Sequence, residues 1–344
     1  MNSAAPIQQD FVPSDPSPAV QDPALAWDWA ADQLPEISSR LRAASRAEDG
    51  LDEACRYHLQ QPGKQFRAQL ALSLCQGSRV KPTDALTLAT ICECFHNASL
   101  VHDDLQDRDL RRRDQESVWY RFGSAMAVSL GDHLLFTGYR LLGELVENTG
   151  RVGLVTAFSR GLDCAVRGQS WFCQPRPEQA IDAAALLTHY ERQAQGKSGE
   201  LLALPVTGAL LLAGIPSGTV DRAHSVMRDY GLLYQCLDDL ADITASKAGR
   251  APGSDLRNGE LTAPMIWYLS VCPGAQGRAL LAFLADPDPQ GGTHWMERLC
   301  NSPALEHGAR YLQQVRSRIR EGLAELPPDL AQLLGHALEQ AVLR

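Results

Sequence analysis

The sequence lacks any cysteine framework. Nine cysteines are scattered over 344 residues, and none belongs to a CxxC motif. An odd number without paired spacing is typical of reduced thiols, and it argues against a disulfide scaffold and against a structural zinc site. We therefore expect a cytoplasmic protein.

An excess of basic residues is also missing. The formal net charge is −9, from 32 Lys and Arg against 41 Asp and Glu. A non-specific nucleic-acid binder depends on Lys and Arg to neutralise phosphates, so we expect no nucleic-acid partner. A small anionic ligand stays compatible with this charge, because bound cations can reverse the local charge balance.

No segment has the pattern of a secretion signal or of an uninterrupted membrane span. Residues 1–22 are rich in Pro, Ser, Asp and Gln and lack a basic stretch followed by an apolar one, so a flexible N-terminal segment is predicted. The uncharged stretch Leu201–Val220 is interrupted by Pro205 and Pro216. These interruptions favour a buried core helix ending near Gly214, and we expect a protein that is not integral to a membrane.

Alternating strand patterns are absent, whereas helical patterns are abundant. Apolar residues recur at three- and four-residue spacing in 84–105, 124–148, 221–243 and 306–326. No linker or change of composition divides the chain after the N-terminal segment. The sequence predicts one all-α domain over residues 23–344, a helical bundle with its site between facing helices.

What the sequence does contain is a dense run of opposite charge, LVHDDLQDRDLRRRD, at residues 100–114. Within it, Asp103, Asp104 and Asp107 form a DDxxD motif. Asp103 and Asp107 lie one turn apart on one helix face, where like charges repel unless a cation compensates. Alone, the motif is equally typical of an exposed helix that carries ion pairs.

A second motif, DDLAD, raises the significance of the first. Asp238, Asp239 and Asp242 again follow an apolar helical stretch. Two such clusters on separate helices predict carboxylates that face each other across a cavity. Mg²⁺ prefers a few carboxylates combined with water and substrate phosphates, so the pair predicts a magnesium site for a phosphorylated substrate.

Groups suited to phosphate binding occur at three places near these motifs: after the first motif, at a predicted helix start, and between two glycines. They are Arg112 and Arg113, then Gly63, Lys64 and Arg67, then Lys197 and Ser198. Arginine forks, helix N-termini and glycine-flanked backbone all favour phosphate binding. The set predicts two diphosphate pockets, one bridged by metal and one purely basic.

In this order, the motifs resemble the all-trans prenyl diphosphate synthase family, which elongates isoprenoid chains head to tail. The resemblance extends from about Pro62 to Pro264 and rests on PGKQFRA, ECFHNASLVHDDLQDRDLRRRD, SVWYRFGSAMAVSLGDHLL, GKSGEL, and YQCLDDLADI with its tail GRAPGSDLRNGELTAP. It implies the all-α isoprenoid (terpenoid) synthase fold with a central active-site cavity, and a homodimer.

The resemblance also implies roles for individual residues. Three Mg²⁺ ions would be held by Asp103, Asp107 and Asp238, supported by Asp104, Asp239 and Asp242. The allylic diphosphate would be held by Arg112, Lys197, Ser198 and Gln235. Isopentenyl diphosphate would be held by Gly63, Lys64, Arg67, His96 and Arg113. The catalytic group would comprise Asp103, Asp104, Asp107, Asp238, Asp239 and Lys197.

The implied reaction is a Mg²⁺-dependent 1′-4 condensation of isopentenyl diphosphate with a C5 to C15 allylic diphosphate. The product chain would grow along the helix before the first motif. Small side chains at Ala98 and Ser99, with Phe95 further up as a floor, predict a long product, and geranylgeranyl diphosphate is favoured. Farnesyl diphosphate and products of C30 or above stay open.

The sequence departs from the family pattern at several positions. They are Gln65 for Arg, Ala68 for Pro, Asp114 for Gly, Phe172 for Asp, and Glu260 for Lys. Losing a cation at position 260 leaves the strength of allylic diphosphate binding open, with Lys247 and Arg250 as alternative cations.

Two rival functions stay open. A terpene cyclase on the same scaffold would keep both aspartate motifs but could dispense with the isopentenyl pocket, whose basic residues are retained here. A regulatory subunit of a heteromeric synthase would be expected to lose one aspartate motif, and this chain has both.

Overall fold

The computed structural model describes residues 22–76, 78–172, 182–244 and 252–342. Its helices are α1 (Pro23–Asp32), α2 (Leu34–Ala44), α3 (Asp49–Leu59), α4 (Phe66–Cys75), α5 (Pro82–Gln106), α6 (Val118–Phe122), α7 (Ser124–Thr149), α8 (Gly153–Phe172), α9 (Ala183–Ala194), α10 (Glu200–Ala213), α11 (Ser217–Thr244), α12 (Ser254–Arg257), α13 (Ala263–Val271), α14 (Ala275–Ala285), α15 (Pro289–Cys300), α16 (Ala304–Ala324) and α17 (Pro328–Val342). A π-helical turn, Gln195–Gly199, joins α9 to α10. Two short strands, β1 (Arg111–Arg112) and β2 (Gln115–Glu116), pair antiparallel.

The prediction of an all-α protein is confirmed. The four stretches with helical spacing fall in α5, α7, α11 and α16, each of which ends within a few residues of the predicted bounds. Within the described ranges, the short β1–β2 pair is the one part of the structure that the prediction of an all-α domain did not include. Strands of two residues are too short to show an alternating pattern in a sequence.

The uncharged stretch after Gly199 forms a core helix, as predicted. In α10, nearly every side chain from Glu200 to Leu212 is buried, and Gly214 ends the helix with a φ of 76°. Within the described ranges, no helix combines the length and the apolar character that a membrane crossing requires.

Helices α5 and α7 pack closely at two glycines of α7. Gly131 makes room for the ring of His102, and Gly138 makes room for Phe95, whose Cε1 would lie 2.7 Å from an added Cβ. Phe95 also packs against Tyr139 and Phe158, with ring centroids 5.2 Å and 5.9 Å away. These contacts hold the helix that carries the first aspartate motif in register against its neighbour.

The π-helical turn is clamped between α8 and α11. A Cβ added to Gly231 of α11 would collide with the Cα of Gly199, and one added to Gly168 of α8 would lie 2.5 Å from the backbone nitrogen of Lys197. Only glycine permits backbones to approach this closely. The clamp fixes Lys197 and Ser198 in a π-turn, a feature that is frequent at functional sites.

The predicted N-terminal segment, residues 1–22, lies outside the described residues except for Asp22. The Asp22 carboxylate caps α1 by accepting a hydrogen bond from the backbone nitrogen of Ala24 at 2.9 Å. The domain boundary between residues 22 and 23 therefore stays a prediction.

Candidate active site

A cavity of about 430 Å³ lies between α4, α5, α10 and α11. Both aspartate motifs contribute to its wall, through Asp103 of α5 and Asp238 of α11. Other predicted site residues that line it are Lys64, Arg67, His96, Ser99, Arg112, Arg113, Lys197, Ser198 and Gln235. The remaining predicted residues, Gly63, Phe95, Ala98, Asp104, Asp107, Asp239 and Asp242, are not part of this lining.

The neighbouring aspartates Asp103 and Asp104 point in different directions from α5. Asp103 faces the cavity, with its Oδ2 3.8 Å from Nζ of Lys197. Asp104 is buried, and its Oδ1 accepts hydrogen bonds from both Nε (2.7 Å) and Nη2 of Arg112. With 3.6 residues per turn, adjacent residues lie about 100° apart, so Asp104 leaves the face that Asp103 shares with Asp107. In these contacts Asp104 orients an arginine.

The electrostatic environment of the first motif combines burial with competing charges. Burial raises the pKa of Asp103, Asp107 raises it further, and the ammonium of Lys197 opposes both. Asp107 itself ends α5 and is half-buried. The pKa of Asp103 is also lowered by Arg112 and raised by Asp104. Three carboxylates of the motif therefore face two cations, and a divalent cation compensates the remaining negative charge.

In the second motif, Asp239 is held by three donors. It accepts hydrogen bonds from the hydroxyl of Tyr190 (2.6 Å), from Nε2 of Gln235 (2.8 Å) and from the backbone nitrogen of Ala263 (3.1 Å). Burial raises the pKa of Asp239, and these donors oppose the shift. The carboxylate thus fixes Gln235 in the cavity wall and the start of α13 behind it.

Asp242 is likewise buried, and it accepts hydrogen bonds from the residues at the start of α12. Its carboxylate accepts from Oγ of Ser254 (2.7 Å) and from the backbone nitrogen of Asp255 (3.2 Å), while its carbonyl accepts from Gly253 (2.7 Å). Asp242 therefore fastens the start of α12 to the end of α11. The metal-supporting roles expected for Asp104, Asp239 and Asp242 stay predictions beside these observed contacts.

Donors in the cavity wall form a continuous chain. Oγ of Ser198 donates to Oε1 of Gln235 at 2.8 Å, and Nε2 of Gln235 in turn donates to Oδ1 of Asp239. The predicted allylic diphosphate ligands Ser198 and Gln235 are thus oriented by one another. Arg112, their cationic companion, is oriented by Asp104.

The predicted isopentenyl pocket is built around Arg67 and His96. Nε of Arg67 donates to the carbonyl of Leu201 at 3.1 Å, and its Nη1 lies 3.2 Å from Nε2 of His96. Burial and the nearby positive charge of Arg67 hold the pKa of His96 well below its usual range. The imidazole is therefore neutral at physiological pH, and its Nε2 accepts from Arg67.

Gly63 and Arg113 are in direct contact. Gly63 has a φ of 70°, and an added Cβ would lie 2.6 Å from Nη2 of Arg113. Gln65 and Arg113 also adopt positive φ, at 48° and 55°. Left-handed backbone at non-glycine residues is uncommon and clusters at functional sites.

Three residues of this neighbourhood escape sequence reasoning: Glu93, His58 and Tyr190. Glu93 is buried behind Arg67 and accepts from the backbone nitrogen of Ala68 at 3.1 Å. His58 is buried near Arg113, and burial with that cation lowers its pKa to about 3. Glu93 is a glutamate inside the apolar stretch of α5 and opens the segment ECFHNAS, which is a visible signal. His58 and Tyr190 lie a few residues before PGKQFRA and GKSGEL but belong to neither, so nothing in the sequence marks them.

The side chains fit magnesium only in combination with a bound phosphate. Across 22–76, 78–172, 182–244 and 252–342, no three His, Cys, Asp or Glu side chains are grouped closely enough to hold a metal ion by themselves. Mg²⁺ is usually bound by one or two carboxylates together with water and substrate phosphates. Asp103 and Asp238, from two helices of one cavity wall, supply that donor set.

Of the departures from the family pattern, Ala68 is fully buried and Asp114 is exposed beside the β1–β2 pair. Glu260 is half-buried and interacts electrostatically with Asp107 and Lys197. Lys247, Arg250 and the side chain of Phe172 lie outside the described part of the chain.

The chain matches the polyprenyl synthetase family over residues 48–294 and belongs to that family. It is 33% identical over 229 residues to a (2E,6E)-farnesyl diphosphate synthase of Mycobacterium tuberculosis, a match that covers 65% of this chain but only 61% of the relative. It is 28% identical over 281 residues to a geranylgeranyl diphosphate synthase of the same organism, covering 79% of this chain and 78% of the relative.

The fold is shared with solved polyprenyl synthases. The structure of a polyprenyl synthase from Caulobacter crescentus, complexed with calcium and isoprenyl diphosphate, superposes with a TM-score of 0.78 at 20% identity, over 96% of this chain and 99% of the other. The predicted isoprenoid synthase fold is thereby confirmed, and the predicted family membership is confirmed by the match over residues 48–294.

Proposed function

We propose that this protein condenses isopentenyl diphosphate with an allylic diphosphate in a Mg²⁺-dependent 1′-4 reaction that yields an all-trans prenyl diphosphate. The observation that carries the proposal is a single cavity in which Asp103 and Asp238 share the wall with Lys197, Arg67 and Arg113. An acidic pair and a basic set in one cavity suit two diphosphates, one bound through metal and one through cations.

At the acidic side, Asp103, Asp107 and Asp238 are the proposed magnesium ligands. When bound there, Mg²⁺ would draw charge from the allylic diphosphate and favour its departure. Arg112 and Lys197 add positive charge toward the leaving group, and Ser198 and Gln235 orient it. Asp104 serves this arrangement by holding the Arg112 guanidinium in place.

At the basic side, Lys64, Arg67, His96 and Arg113 are the proposed ligands of isopentenyl diphosphate. The π-bond of this substrate attacks the allylic carbon as the diphosphate leaves. The departing diphosphate then removes a proton from the condensed product, and the loss of that proton forms a new double bond. The chain's part is to position both substrates and keep water from the cationic carbon. Phe66, Leu201 and Leu202 supply apolar lining for this purpose.

Product length is set, in this proposal, beside Ser99, and the product is geranylgeranyl diphosphate. Ser99 lines the cavity, while Ala98 is fully buried against α7 and Phe95 is enclosed by Tyr139 and Phe158. We predict that Ser99→Phe shortens the product, because the ring fills the space into which the chain grows. Product analysis by chromatography checks this, with Ser99→Ala as the matched control, and an unchanged product distribution for Ser99→Phe would refute the assignment.

The function is tested by offering labelled isopentenyl diphosphate with C5, C10 and C15 allylic primers, with and without Mg²⁺. Elongated diphosphates in the presence of Mg²⁺ support the proposal, and turnover by the purified chain alone excludes a regulatory subunit. Geranylgeranyl diphosphate supplied alone with Mg²⁺ tests the rival cyclase. Release of a cyclic hydrocarbon in that assay would favour the cyclase.

We further propose that the protein acts as a cytoplasmic homodimer. Val128, Phe136 and Tyr139 occupy one side of α7 and are exposed, with Phe136 at 72%. An apolar stripe of this kind marks a protein interface more often than a solvent face. The eight described cysteines are all free, which suits a reducing compartment.

A further inference from the structure

Helix α4, which leads the basic pocket, begins without a cap of its own. Its N-cap residue is Gln65, whose backbone is left-handed (φ 48°) and whose side chain accepts no N–H of the helix. Oε1 of Gln65 accepts instead from Oγ of Ser38 at 3.1 Å. The first N–H groups of a helix have no partner within the helix, and a buried N–H that stays unbonded is costly. This helix therefore needs an acceptor from elsewhere in the fold.

Glu93 of α5 supplies that acceptor. Its side chain is 1% exposed, and its Oε1 accepts a hydrogen bond from the backbone nitrogen of Ala68 at 3.1 Å. Ala68 is the third residue of α4, whose N–H is one of those that a capping side chain usually takes. Where the family pattern has Pro at position 68, there is no N–H to donate, so this bond depends on the alanine of this chain.

The turn that Glu93 caps also carries the cations of the basic pocket. Arg67 precedes Ala68, and its Nη1 lies 3.2 Å from Nε2 of His96, which follows Glu93 by one turn of α5. Two contacts, one turn apart on α5, thus hold the first turn of α4. All of residues 64–67 line the cavity, so a shift of this turn would move the pocket wall with it.

The charge of Glu93 would act against an anionic ligand, whereas its hydrogen bond would act in favour of one. Burial raises the pKa of Glu93, while the guanidinium of Arg67, the N–H of Ala68 and the guanidinium of Arg113 lower it. Removing a negative charge from beside two arginines should strengthen the binding of a diphosphate. Releasing Arg67 should weaken it. Substitutions at Glu93 leave the other cations of the cavity wall in place, which are Lys64, Arg112 and Lys197.

We infer that Glu93 is a positioning residue of the basic pocket, which caps α4 from α5, fixes Arg67 beside His96 and so sets the affinity for isopentenyl diphosphate. The inference rests on the proposed function, because it takes isopentenyl diphosphate as the ligand of this pocket. Glu93 does not itself line the cavity and acts through the backbone of Ala68.

The test measures binding of isopentenyl diphosphate to the full chain by calorimetry, and the KM for the allylic substrate by steady-state kinetics. Glu93→Leu removes the acceptor, so we expect about tenfold weaker binding of isopentenyl diphosphate and little change in the allylic KM, because Arg67 alone is released. Glu93→Gln keeps an oxygen acceptor and removes the charge, so it should bind at least as tightly as wild type. If Glu93→Leu binds like wild type, or Glu93→Gln as weakly as Glu93→Leu, the inference is overturned.

Ala68→Pro breaks the same hydrogen bond from the other side. Proline is tolerated in the first turn of a helix but has no N–H. This variant should weaken binding about as much as Glu93→Leu, and the double variant should be no weaker than either single one, because both changes remove one contact. Additive losses would overturn the inference. Should Glu93→Leu fail to fold, Ala68→Pro decides in the same assay.

Asp288→Leu is the matched control for loss of a capping carboxylate. Asp288 caps α15 by accepting from the backbone nitrogen of Gly291 at 2.8 Å, and among the described residues those of α15 do not line this cavity. Its affinity for isopentenyl diphosphate should equal that of wild type. If Asp288→Leu weakens binding as much as Glu93→Leu, general destabilisation is responsible and the inference is overturned.

The outcome is separable from the proposed function. If wild type binds isopentenyl diphosphate but elongates no primer, while the Glu93 variants differ as expected, the condensation proposal fails and the inference stands. If wild type elongates primers and Glu93→Leu binds as tightly as wild type, the inference alone fails. If wild type does not bind isopentenyl diphosphate, both are overturned.

Discussion

At the residue scale, Gly63 shows how one missing side chain makes room for another. The guanidinium of Arg113 occupies the space that a Cβ would fill. We predict that Gly63→Ala raises the KM for isopentenyl diphosphate about tenfold or more, because Arg113 is displaced from its pocket, while the KM for the allylic substrate changes little. Steady-state kinetics with each substrate varied in turn measures both.

The control for Gly63→Ala is Gly150→Ala. Gly150 has nearly the same φ, 69°, but nothing lies within 4 Å of its added Cβ. Each variant should lose about 1 kcal/mol of stability from the left-handed backbone. An equal rise in KM for the two variants would show that strain, and not displacement of Arg113, is responsible.

The buried His58 is expected to make the protein less stable at acidic pH. Its pKa is about 3 in the native protein, against an ordinary value of 6.5, because burial and Arg113 disfavour the charged form. Between these two pH values the unfolded chain binds the proton and the native chain does not. His58 therefore lowers the free energy of unfolding as pH falls from about 6.5 toward 3, by up to about 1.4 kcal/mol per pH unit.

Urea unfolding at a series of pH values checks this expectation. His58→Gln should flatten the slope of stability against pH in that window, and His294→Gln, at an exposed position of α15, should leave it as in wild type. A slope that survives the His58 substitution would assign the acid sensitivity to other groups.

The sequence predicts the directions of the aspartates in the first motif but not the side chains that the buried aspartates of the two motifs contact. Helical periodicity places Asp103 and Asp107 on one face and turns Asp104 away. The partner that Asp104 finds, Arg112, depends on how β1 and β2 fold back, and no local pattern encodes that turn. Tyr190 is the same kind of case, since its contact with Asp239 joins helices remote in the chain.

At the element scale, the π-helical turn depends on the contact between Gly199 and Gly231. We predict that Gly231→Ala lowers the free energy of unfolding by about 1–3 kcal/mol, because its methyl group meets the backbone of the turn, and that it lowers kcat by displacing Lys197 and Ser198. Chemical denaturation and steady-state kinetics measure the two effects.

Gly335→Ala provides the comparison within another helix, away from the proposed dimer interface. Nothing lies within 4 Å of the added Cβ in α17, so this variant should gain about 0.5–1 kcal/mol from better helix propensity. If Gly231→Ala is as stable and as active as Gly335→Ala, the close contact between α11 and the π-helical turn contributes little.

The long helices can be predicted from the sequence pattern, whereas the π-helical turn cannot. The apolar composition of α10 and its end at Gly214 mark a buried helix directly. One extra residue in a helical turn changes hydrogen bonding without changing composition, so QGKSG indicates only a close glycine approach.

At the scale of the whole molecule, the exposed stripe on α7 predicts the assembly. Phe136→Asp should convert the proposed dimer to a monomer, because a charge placed in an apolar interface is costly to bury. Light scattering coupled to size exclusion measures the mass. Leu25→Asp, which alters a similarly exposed apolar side chain on α1 (65%), should leave the mass unchanged. A wild-type protein that elutes with the mass of a monomer would refute the proposed dimer.

The architecture was predictable because long helices repeat their pattern many times, so local exceptions do not hide it. That the two motifs meet in one cavity follows from their shared chemistry, since isolated acidic clusters are costly unless a cation joins them. The residues behind the cavity that match no motif, such as His58 and Tyr190, can be identified only from the three-dimensional arrangement.

The hydrogen bonds that link Ser198, Gln235, Asp239 and Ala263 have one more consequence. They connect the π-turn, α11 and α13 in series, with each group acting as the brace for the next. We therefore expect a ligand that displaces Ser198 to shift the first turn of α13 as well, because this chain of hydrogen bonds joins the cavity wall to the C-terminal half of the bundle.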